Sequence, residues 1–380
     1  MLSEDQIKNI YITTNVTCNL RCIYCYEDKS SCEIFDVEKT KQQLVRQLSE
    51  KSGGSTLINL HGGEPFLVFD RIRELCEWLW EQEVQEPYLF FTTTNGTLVH
   101  GEIQEWLTRN KDRFIAGLSL DGTREMQNMN RSNSFDKIDI DFFARTWPGQ
   151  GVKMTVSPLS IDYLADGIRF LHSKGIHHIL VNLAYMVNWN DPKFARIYQR
   201  ELKKMAAFYK ENPALPRDTI FDLPFKLLVA PDARTRKWCG AGTHVKAFDI
   251  DGRQYPCHLF FESVCGKEKS EGWHDIDFAS PKEYISEECS ECPLYPTCPT
   301  CYGANYIERG KIGSRDMSLC RLEKIRTLEV AKFEYDRIMN SHDEEDISAE
   351  EAAERARTLE ALLKIEPLLL SIEKELADLQ

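Results

Sequence analysis

Three cysteines lie within eight residues near the start of the 380-residue sequence, in the stretch VTCNLRCIYCYED. Cys18, Cys22 and Cys25 have the spacing C-x3-C-x2-C. A structural zinc ion usually has four protein ligands, and no fourth partner follows this trio closely. Thiolates also hold iron–sulfur clusters, and a cubane on three cysteines leaves one iron free for a substrate or cofactor. We therefore predict an open-iron [4Fe–4S] cluster here, with zinc as the alternative.

A second group of cysteines lies toward the C-terminus. Its members are Cys239, Cys257, Cys289, Cys292, Cys298, Cys301 and Cys320. Zinc is a stronger alternative for this group, because two C-x2-C pairs are also a zinc pattern. Three of the 13 cysteines remain, Cys32, Cys76 and Cys265, and we interpret them as small buried hydrophobes or free thiols.

The first half of the sequence alternates apolar strands with helical stretches, which predicts a parallel sheet. The predicted strands cover 9–17, 56–63, 89–96, 114–122, 152–158 and 179–185, and the predicted helices cover 36–51, 70–84, 101–110, 135–146 and 161–174. Six strand–helix units are too few for a complete eight-unit barrel, so we predict an α/β fold built on a partial (β/α)6 TIM-like barrel. Active residues in such folds gather at the carboxyl ends of the strands.

The remainder of the sequence changes character twice. We expect a barrel over 1–190, a helix and Pro-containing connector over 191–237, a cysteine-rich domain over 238–321 and C-terminal helices over 322–380. The cysteine-rich part has few long apolar runs, so its order should depend on bound metal. The final helix should begin near Ser348, where SAEE is a capping box that follows the acidic break NSHDEED.

Composition excludes some classes of partner. The formal net charge is −13 and the sequence pI is about 5.3, which argues against a nucleic-acid partner. The N-terminus has no basic-then-apolar layout, and no apolar run approaches the roughly 18 residues that cross a bilayer. We therefore expect no membrane contact and a cytoplasmic location, where clustered thiols more often hold metal than form disulfides.

The first half resembles the radical S-adenosylmethionine (SAM) enzymes in its C-x3-C-x2-C motif, with Tyr24 before the third cysteine. That resemblance implies that one iron chelates the methionine part of SAM and that one electron then releases a 5′-deoxyadenosyl radical. It also implies further cofactor contacts. These would come from Tyr24 against the adenine, from Gly62, Gly63 and Glu64 at the ammonium, from Asn95, Ser119 and Asp121 at strand ends, and from Arg131 at the carboxylate.

The second group of cysteines is similar to the SPASM domain, which carries auxiliary iron–sulfur clusters in a subset of these enzymes. The resemblance implies one [4Fe–4S] cluster on Cys289, Cys292, Cys298 and Cys320 and another on Cys239, Cys257 and Cys301. The spacing from Cys298 to Cys301 is one residue shorter than the family pattern, which puts the role of Cys301 in question. The fourth ligand of the second cluster is either Cys265 or absent, in which case a substrate thiolate could bind that iron.

SPASM enzymes mostly act on peptides and proteins, so the resemblance implies two candidate activities. The first is maturation of a ribosomally made precursor peptide through a crosslink, with a thioether favoured and a cyclophane as the other ring type. The second is oxidation of a sulfatase Cys or Ser to formylglycine. Enzymes of the second type carry an Asp where this sequence has His258. We interpret His258 either as a catalytic base or as a residue that tunes the adjacent cluster.

The expected partners follow from the peptide-maturase interpretation. They are a precursor peptide and an electron donor such as flavodoxin or ferredoxin. About eight residues precede the first strand, too few for a leader-binding domain, so a separate protein or the C-terminal helices would bind the leader. A non-catalytic iron–sulfur electron carrier is the remaining alternative, although it would not explain Glu64, Asn95 and Arg131.

Overall fold

The computed structural model describes residues 7–29, 31–49, 54–340 and 347–378. The chain forms two compact units. The first contains Met1–Met154, Lys174–Ile176 and Cys239–Ser280, and the second contains Thr155–Ser173, His177–Trp238 and Pro281–Gln380. The domain boundaries expected from the sequence stay a prediction.

Eight strands are present in the described residues. They are β1 (Ile7–Asn15), β2 (Ser55–Gly62), β3 (Tyr88–Thr94), β4 (Phe114–Leu118), β5 (Val152–Val156), β6 (Ile179–Leu183), β7 (Val245–Phe248) and β8 (Gln254–Tyr255). All six strands expected from the sequence form, each with bounds within a few residues of those predicted. The predicted α/β class with a parallel sheet is therefore confirmed.

The main sheet of the first unit has the order β4-β3-β2-β1-β7-β8. β1 to β4 are parallel neighbours, and their inner positions carry fully buried apolar residues such as Ile10, Ile58, Phe90 and Phe114. β7, which the sequence did not predict, joins the free edge of β1 in parallel, and β8 pairs with β7 antiparallel. The segment that carries Cys239 and Cys257 is thereby anchored to the sheet that carries the first cysteine trio.

The helices of the first half are α1 (Val37–Ser49), α2 (Phe69–Trp80), α3 (Glu102–Asn110), α4 (Arg124–Asn130), α5 (Ile140–Thr146), α6 (Leu164–Ser173) and α7 (Lys193–Glu211). The helix expected over 135–146 begins only at Ile140, where Asp139 accepts a hydrogen bond from Phe142 N as its N-cap. α4 was not predicted, because seven residues are too few to show a helical period. Its N-cap is Thr123, whose hydroxyl accepts from Met126 N.

The described residues of the second half form seven more helices. They are α8 (Glu262–Cys265), α9 (Lys267–Gly272), α10 (Pro281–Tyr284), α11 (Glu287–Ser290), α12 (Tyr302–Arg309), α13 (Met317–Met339) and α14 (Ala349–Asp378). The predicted helical C-terminal segment is confirmed, and Ser348 Oγ accepts from Glu351 N at 3.1 Å as the capping box requires. Of the acidic break, 341–346 lie outside the described residues.

In the second unit, α13 packs against both α7 and α14. The contact surface of α7 consists of buried apolar side chains that include Phe194, Tyr198, Leu202 and Met205. None of the helices in the described part of the chain is long and apolar enough to cross a membrane.

Candidate functional site

The carboxyl ends of four neighbouring strands of the first unit carry the predicted cofactor residues. β1 leads into the cysteine trio, β2 into Gly62–Glu64, β3 into Asn95 and β4 into Ser119. Backbone hydrogen bonds tie these ends together, since Glu64 N donates to Thr17 O at 2.9 Å and Ser119 N donates to Thr94 O at 2.9 Å. The structure therefore brings these residues to one edge of the sheet.

The loop after β1 holds its three thiols close to one another. Burial raises the pKa of Cys18 and of Cys22, and the neighbouring Cys25 thiolate raises both further. Cys25 is exposed and the other two are half-buried. The loop therefore carries one exposed and two half-buried thiols.

This donor set fits an iron–sulfur cluster with one free iron. Among the described residues, no three Cys, His, Asp or Glu side chains converge tightly enough to hold a single metal ion. The assignment of Cys18, Cys22 and Cys25 as ligands stays a prediction.

The two glycines of the GGEP motif allow close contact between β2 and the cysteine loop. A Cβ atom on Gly63 would lie 2.1 Å from Thr17 O, and one on Gly62 would lie 2.3 Å from Asn15 O. Both neighbours are backbone atoms of the segment that leads into the trio. The glycines thus position the cysteine loop, whereas their predicted contact with SAM stays a prediction.

Glu64 is buried, with 1% of its surface exposed, and its carboxylate joins the ends of β2 and β3. Oε1 accepts from Thr94 Oγ1 at 2.8 Å and from Phe66 N at 3.2 Å, and Oε2 accepts from Asn95 N at 2.8 Å. Burial raises the pKa of Glu64, while these hydrogen bonds oppose the rise. A carboxylate can accept about four hydrogen bonds, so Glu64 keeps capacity for one more donor such as an ammonium group.

Asn95 orders the cysteine loop directly. Its Nδ2 donates to Asn19 Oδ1 at 2.8 Å and lies 3.9 Å from Cys18 Sγ. Its Oδ1 accepts from Thr97 Oγ1 at 2.7 Å, and Asn19 Nδ2 in turn donates to Thr97 Oγ1 at 2.8 Å. Asn95, which the sequence predicts as a cofactor contact, is therefore hydrogen-bonded to the cysteine loop.

Tyr24, Asp121 and Arg131 form one buried network. The Tyr24 hydroxyl donates to Asp121 Oδ2 at 2.5 Å, and Arg131 Nε lies 3.1 Å from Asp121 Oδ1. The Arg131 guanidinium also lies 5.4 Å from the centroid of the Tyr24 ring. Asp121 thus links the cysteine loop to the segment after α4, and the predicted contacts of all three with SAM stay predictions.

Lys153 is a cation of this unit that the sequence analysis missed. It pairs with Ser119 in a parallel bridge, and its carbonyl accepts from Leu120 N at 2.9 Å. Its neighbours Val152 and Met154 are buried, whereas its own side chain points to the opposite, solvent-accessible face of β5. Desolvation by the surrounding protein and the charge of Arg131 lower the pKa of its ammonium group.

His258 lies in an aromatic cluster of the first unit. Its ring centroid is 4.4 Å from that of His61, 5.5 Å from that of Tyr11 and 5.6 Å from that of Tyr26. Burial lowers its pKa well below the usual range, and the charges of His61 and Lys153 add to the effect. In the part of the chain that the structure describes, its Nδ1 atom has no hydrogen-bond partner. Its role as a base or as a cluster-tuning residue stays a prediction.

The second unit brings four cysteines of the second group together. These are Cys289, Cys292, Cys298 and Cys320. Burial raises the pKa of Cys298 to about 12, and Arg315 opposes this rise while Cys320 and Cys292 add to it. Burial likewise raises the pKa of Cys320, with contributions from Cys292 and Cys289. These four thiols are the set that the resemblance assigned to one auxiliary cluster.

The other three predicted auxiliary ligands divide between the units. Cys239 and Cys257 lie in the first unit, where burial and the charges of both raise the pKa of Tyr11 to about 12. Cys301 is the N-cap residue of α12 in the second unit. Cys265 Sγ donates to Phe260 O at 3.5 Å. The fourth ligand of the cluster on Cys239, Cys257 and Cys301, either Cys265 or no protein residue, stays a prediction.

The comparisons with known proteins show the family. The Radical SAM superfamily model matches residues 12–200. Fe-coproporphyrin III synthase of Methanosarcina barkeri is 30% identical over 363 residues, which cover 78% of this chain and 84% of that protein. The chain therefore belongs to the radical SAM superfamily. Family membership confirms the predicted cofactors, which are SAM with a [4Fe–4S] cluster and, in SPASM members, auxiliary clusters.

Two further relatives are a sulfatase-maturating enzyme and a bacteriocin biosynthesis protein. The cysteine-type anaerobic sulfatase-maturating enzyme of Clostridium perfringens strain 13 is 21% identical over 74% of this chain and 84% of that protein. The antilisterial bacteriocin subtilosin biosynthesis protein AlbA of Bacillus subtilis is 26% identical over 75% of this chain and 65% of that protein.

Solved structures share the fold. The structure of anSMEcpe with bound AdoMet and Cp18Cys peptide has a TM-score of 0.68 at 20% identity, over 88% of this chain and 98% of that one. Streptococcus suis SuiB bound to its precursor peptide SuiA has a TM-score of 0.56 at 16% identity, over 83% of this chain and 76% of that one.

Proposed function

We propose that this protein is a radical SAM/SPASM maturase that installs a crosslink in a ribosomally made precursor peptide, with a thioether favoured and a cyclophane as the other ring type. The observation that carries the proposal is the edge of the first sheet, where the loop with three free thiols adjoins the buried carboxylate of Glu64. That arrangement suits a cluster with a free iron and an adjacent acceptor for an ammonium group.

Each residue of this edge has a defined task in the proposal. Cys18, Cys22 and Cys25 hold the cluster, and Asn95 with Asn19 fixes the loop that carries them. Glu64 accepts the cofactor ammonium with its remaining lone pair. Arg131, which Asp121 already orients, faces the cofactor carboxylate.

When bound, the cluster and SAM supply a 5′-deoxyadenosyl radical, which takes one hydrogen atom from a carbon of the peptide. A thioether then forms when the peptide's cysteine sulfur bonds to that carbon. This step would release the thiol proton and one electron, and an auxiliary cluster held by the second group of cysteines would accept the electron. The proton needs a base, and His258 is our candidate because its buried Nδ1 atom has no hydrogen-bond partner among the described residues.

A peptide substrate is supported by the fold relatives. The anSMEcpe and SuiB structures both hold a bound peptide, and AlbA is a bacteriocin biosynthesis protein. We extend peptide binding to this chain as part of the proposal, together with an electron donor of the flavodoxin or ferredoxin type. A separate leader-binding protein or the C-terminal helices would complete substrate capture.

Formylglycine formation is the second candidate. The similarity to a sulfatase-maturating enzyme over 84% of that protein favours it. His258 disfavours it, because a buried, neutral histidine stands where enzymes of that type carry an acidic residue. Aromatic rings surround His258 on several sides.

Mass spectrometry of a co-expressed small peptide from the neighbouring reading frames tests the proposal. We expect a loss of two mass units per crosslink, with the crosslinked cysteine protected from alkylation. Conversion of a sulfatase-derived cysteine to formylglycine by the same preparation, with no crosslinked peptide, would overturn the proposal in favour of the second candidate.

A further inference from the structure

Arg315 lies against the four-cysteine group of the second unit. Its side chain is buried, with 9% of the residue exposed, and Nη1 donates to Cys298 O at 2.9 Å. The guanidinium carbon lies 5.0 Å from the centroid of the Tyr295 ring. These contacts fix the side chain beside the thiols.

The charge of Arg315 has no carboxylate partner in the described part of the chain. Its Nε atom is buried and has no hydrogen-bond partner there. A buried cation is costly unless an anion compensates it, and the thiolates of a bound cluster would be that anion for Arg315.

The other charges around this group are weaker or already compensated. Glu323 contributes negative charge near Cys298, but it pairs with Arg326 at 2.8 Å. Lys324 lowers the pKa of Cys320, but its side chain is half-exposed, so solvent screens it. Among the described residues around these four cysteines, Arg315 is therefore the buried charged side chain that has no ion pair with a carboxylate.

We propose that Arg315 is a positioning residue that raises the reduction potential of the cluster on Cys289, Cys292, Cys298 and Cys320, and so makes that cluster the electron acceptor of the maturation reaction. The role of the cluster as electron acceptor rests on the proposed function, because the maturation reaction supplies the electron. The effect of Arg315 on the reduction potential is a property of the cluster and does not depend on the proposed function.

The physical reason is the change of charge on reduction. A [4Fe–4S] cluster with four cysteine thiolates carries a charge of 2− when oxidised and 3− after it accepts one electron. A fixed positive charge in a low-dielectric surrounding attracts the 3− form more strongly. Cluster potentials respond to net charge and to burial in this way.

The experiment is an EPR-monitored redox titration of the reconstituted full-length protein. The signal of interest is the one that disappears in Cys298→Ala. Arg315→Gln removes the charge and can still donate to Cys298 O. At a fixed solution potential, we expect the ratio of reduced to oxidised cluster in Arg315→Gln to fall about tenfold. This change corresponds to a midpoint potential that is lower by about 59 mV for a one-electron couple.

Two controls separate charge from structure. Arg315→Lys keeps the charge, and its potential should stay close to that of the unaltered protein. Lys324→Gln removes a half-exposed charge of the same sign and should change the potential much less than Arg315→Gln does.

An unchanged potential in Arg315→Gln with full iron content would overturn the proposal. Loss of the cluster in both Arg315 variants would also overturn it, because Arg315 would then be a structural residue. Failure of the proposed function is distinguishable, since it would remove the crosslinked peptide and leave the shift in potential intact.

Discussion

At the scale of single residues, the polar side chains at the carboxyl ends of β2 to β4 hold the cysteine loop in place. Glu64 bonds to Thr94 and Asn95, and Asn95 bonds to Asn19 within the loop. Such bonds preorganise the thiols before a cofactor binds. Each of these side chains can therefore affect both cluster assembly and SAM binding, and tests must measure the two separately.

Substitution of Glu64 by glutamine should weaken SAM binding. Glutamine keeps an acceptor for the Thr94 hydroxyl but removes the charge proposed to meet the cofactor ammonium. A hydrogen bond to a charged group contributes about 1.5–3 kcal/mol, so we expect the Kd for SAM to rise about 10- to 150-fold. Calorimetry on protein of measured iron content gives this value, with exposed Glu105→Gln as the control. A change below about threefold at full iron content would contradict the role of Glu64.

At the scale of elements, the contact between the loop after β1 and the end of β2 leaves no room for a side chain. Substitution of Gly63 by alanine should therefore displace the cysteine loop, because the new Cβ would lie 2.1 Å from Thr17 O. Overpacking of this kind costs about 1–3 kcal/mol. We expect reconstituted Gly63→Ala protein to contain less iron, by the amount of one cluster. We also expect that adding SAM no longer changes its EPR spectrum.

Gly149→Ala is the matched control for that substitution, since a Cβ atom at Gly149 would have no neighbour within 4 Å among the described residues. Normal iron content in Gly63→Ala would show that the loop tolerates the extra atom. The proposed close contact would then have no consequence for cluster assembly.

α6, α7 and the connector after α7 share a buried polar cluster that should make the second unit sensitive to acid. His172 Nε2 lies 3.2 Å from the Tyr209 hydroxyl, which donates to Asp218 Oδ2 at 2.7 Å. Burial and the neighbouring His177 lower the pKa of His172 from 6.5 to about 4. Between these two pH values the unfolded chain binds a proton that the folded chain does not.

Folded-state stability should therefore fall as the pH drops from about 6.5 toward 4, by up to about 3 kcal/mol. Urea unfolding at several pH values measures how steeply the free energy of unfolding changes with pH. Substitution of His172 by glutamine should reduce this slope, whereas substitution of exposed His178 should not. An identical slope in His172→Gln would assign the acid sensitivity to other groups.

Much of this architecture could be predicted from the sequence. Alternating or continuous apolar stretches predicted all six strands β1 to β6. The spacing of Cys18, Cys22 and Cys25 predicts a cluster on the loop after β1, and that assignment stays a prediction. β7 was missed because it is four residues long and is stabilised by a distant partner, β1. α4 was missed because it too is short, with seven residues.

The site could be predicted only where residue types recur in a known spacing. Lys153 and Arg315 are single cations without a local pattern, and their importance appears only when folding places them beside Ser119 and Cys298. The bonds of Asn95 to the cysteine loop were likewise invisible in the sequence. Tertiary placement, which a linear pattern does not record, supplies these roles.

At the scale of the whole molecule, the chain combines a radical SAM domain with a second group of cysteines. Its relatives include a sulfatase-maturating enzyme, a bacteriocin biosynthesis protein and an Fe-coproporphyrin III synthase. This diversity means that the family defines the radical chemistry, while the substrate must be established on this protein itself.

The yield of 5′-deoxyadenosine from anaerobically reconstituted, reduced protein with SAM tests the central claim most directly. We predict cleavage of SAM by the intact protein and none by the variant in which Cys18, Cys22 and Cys25 are all alanine. Absence of 5′-deoxyadenosine from intact protein with a full complement of iron, or equal amounts from the triple variant, would contradict an open-iron cluster at these three residues.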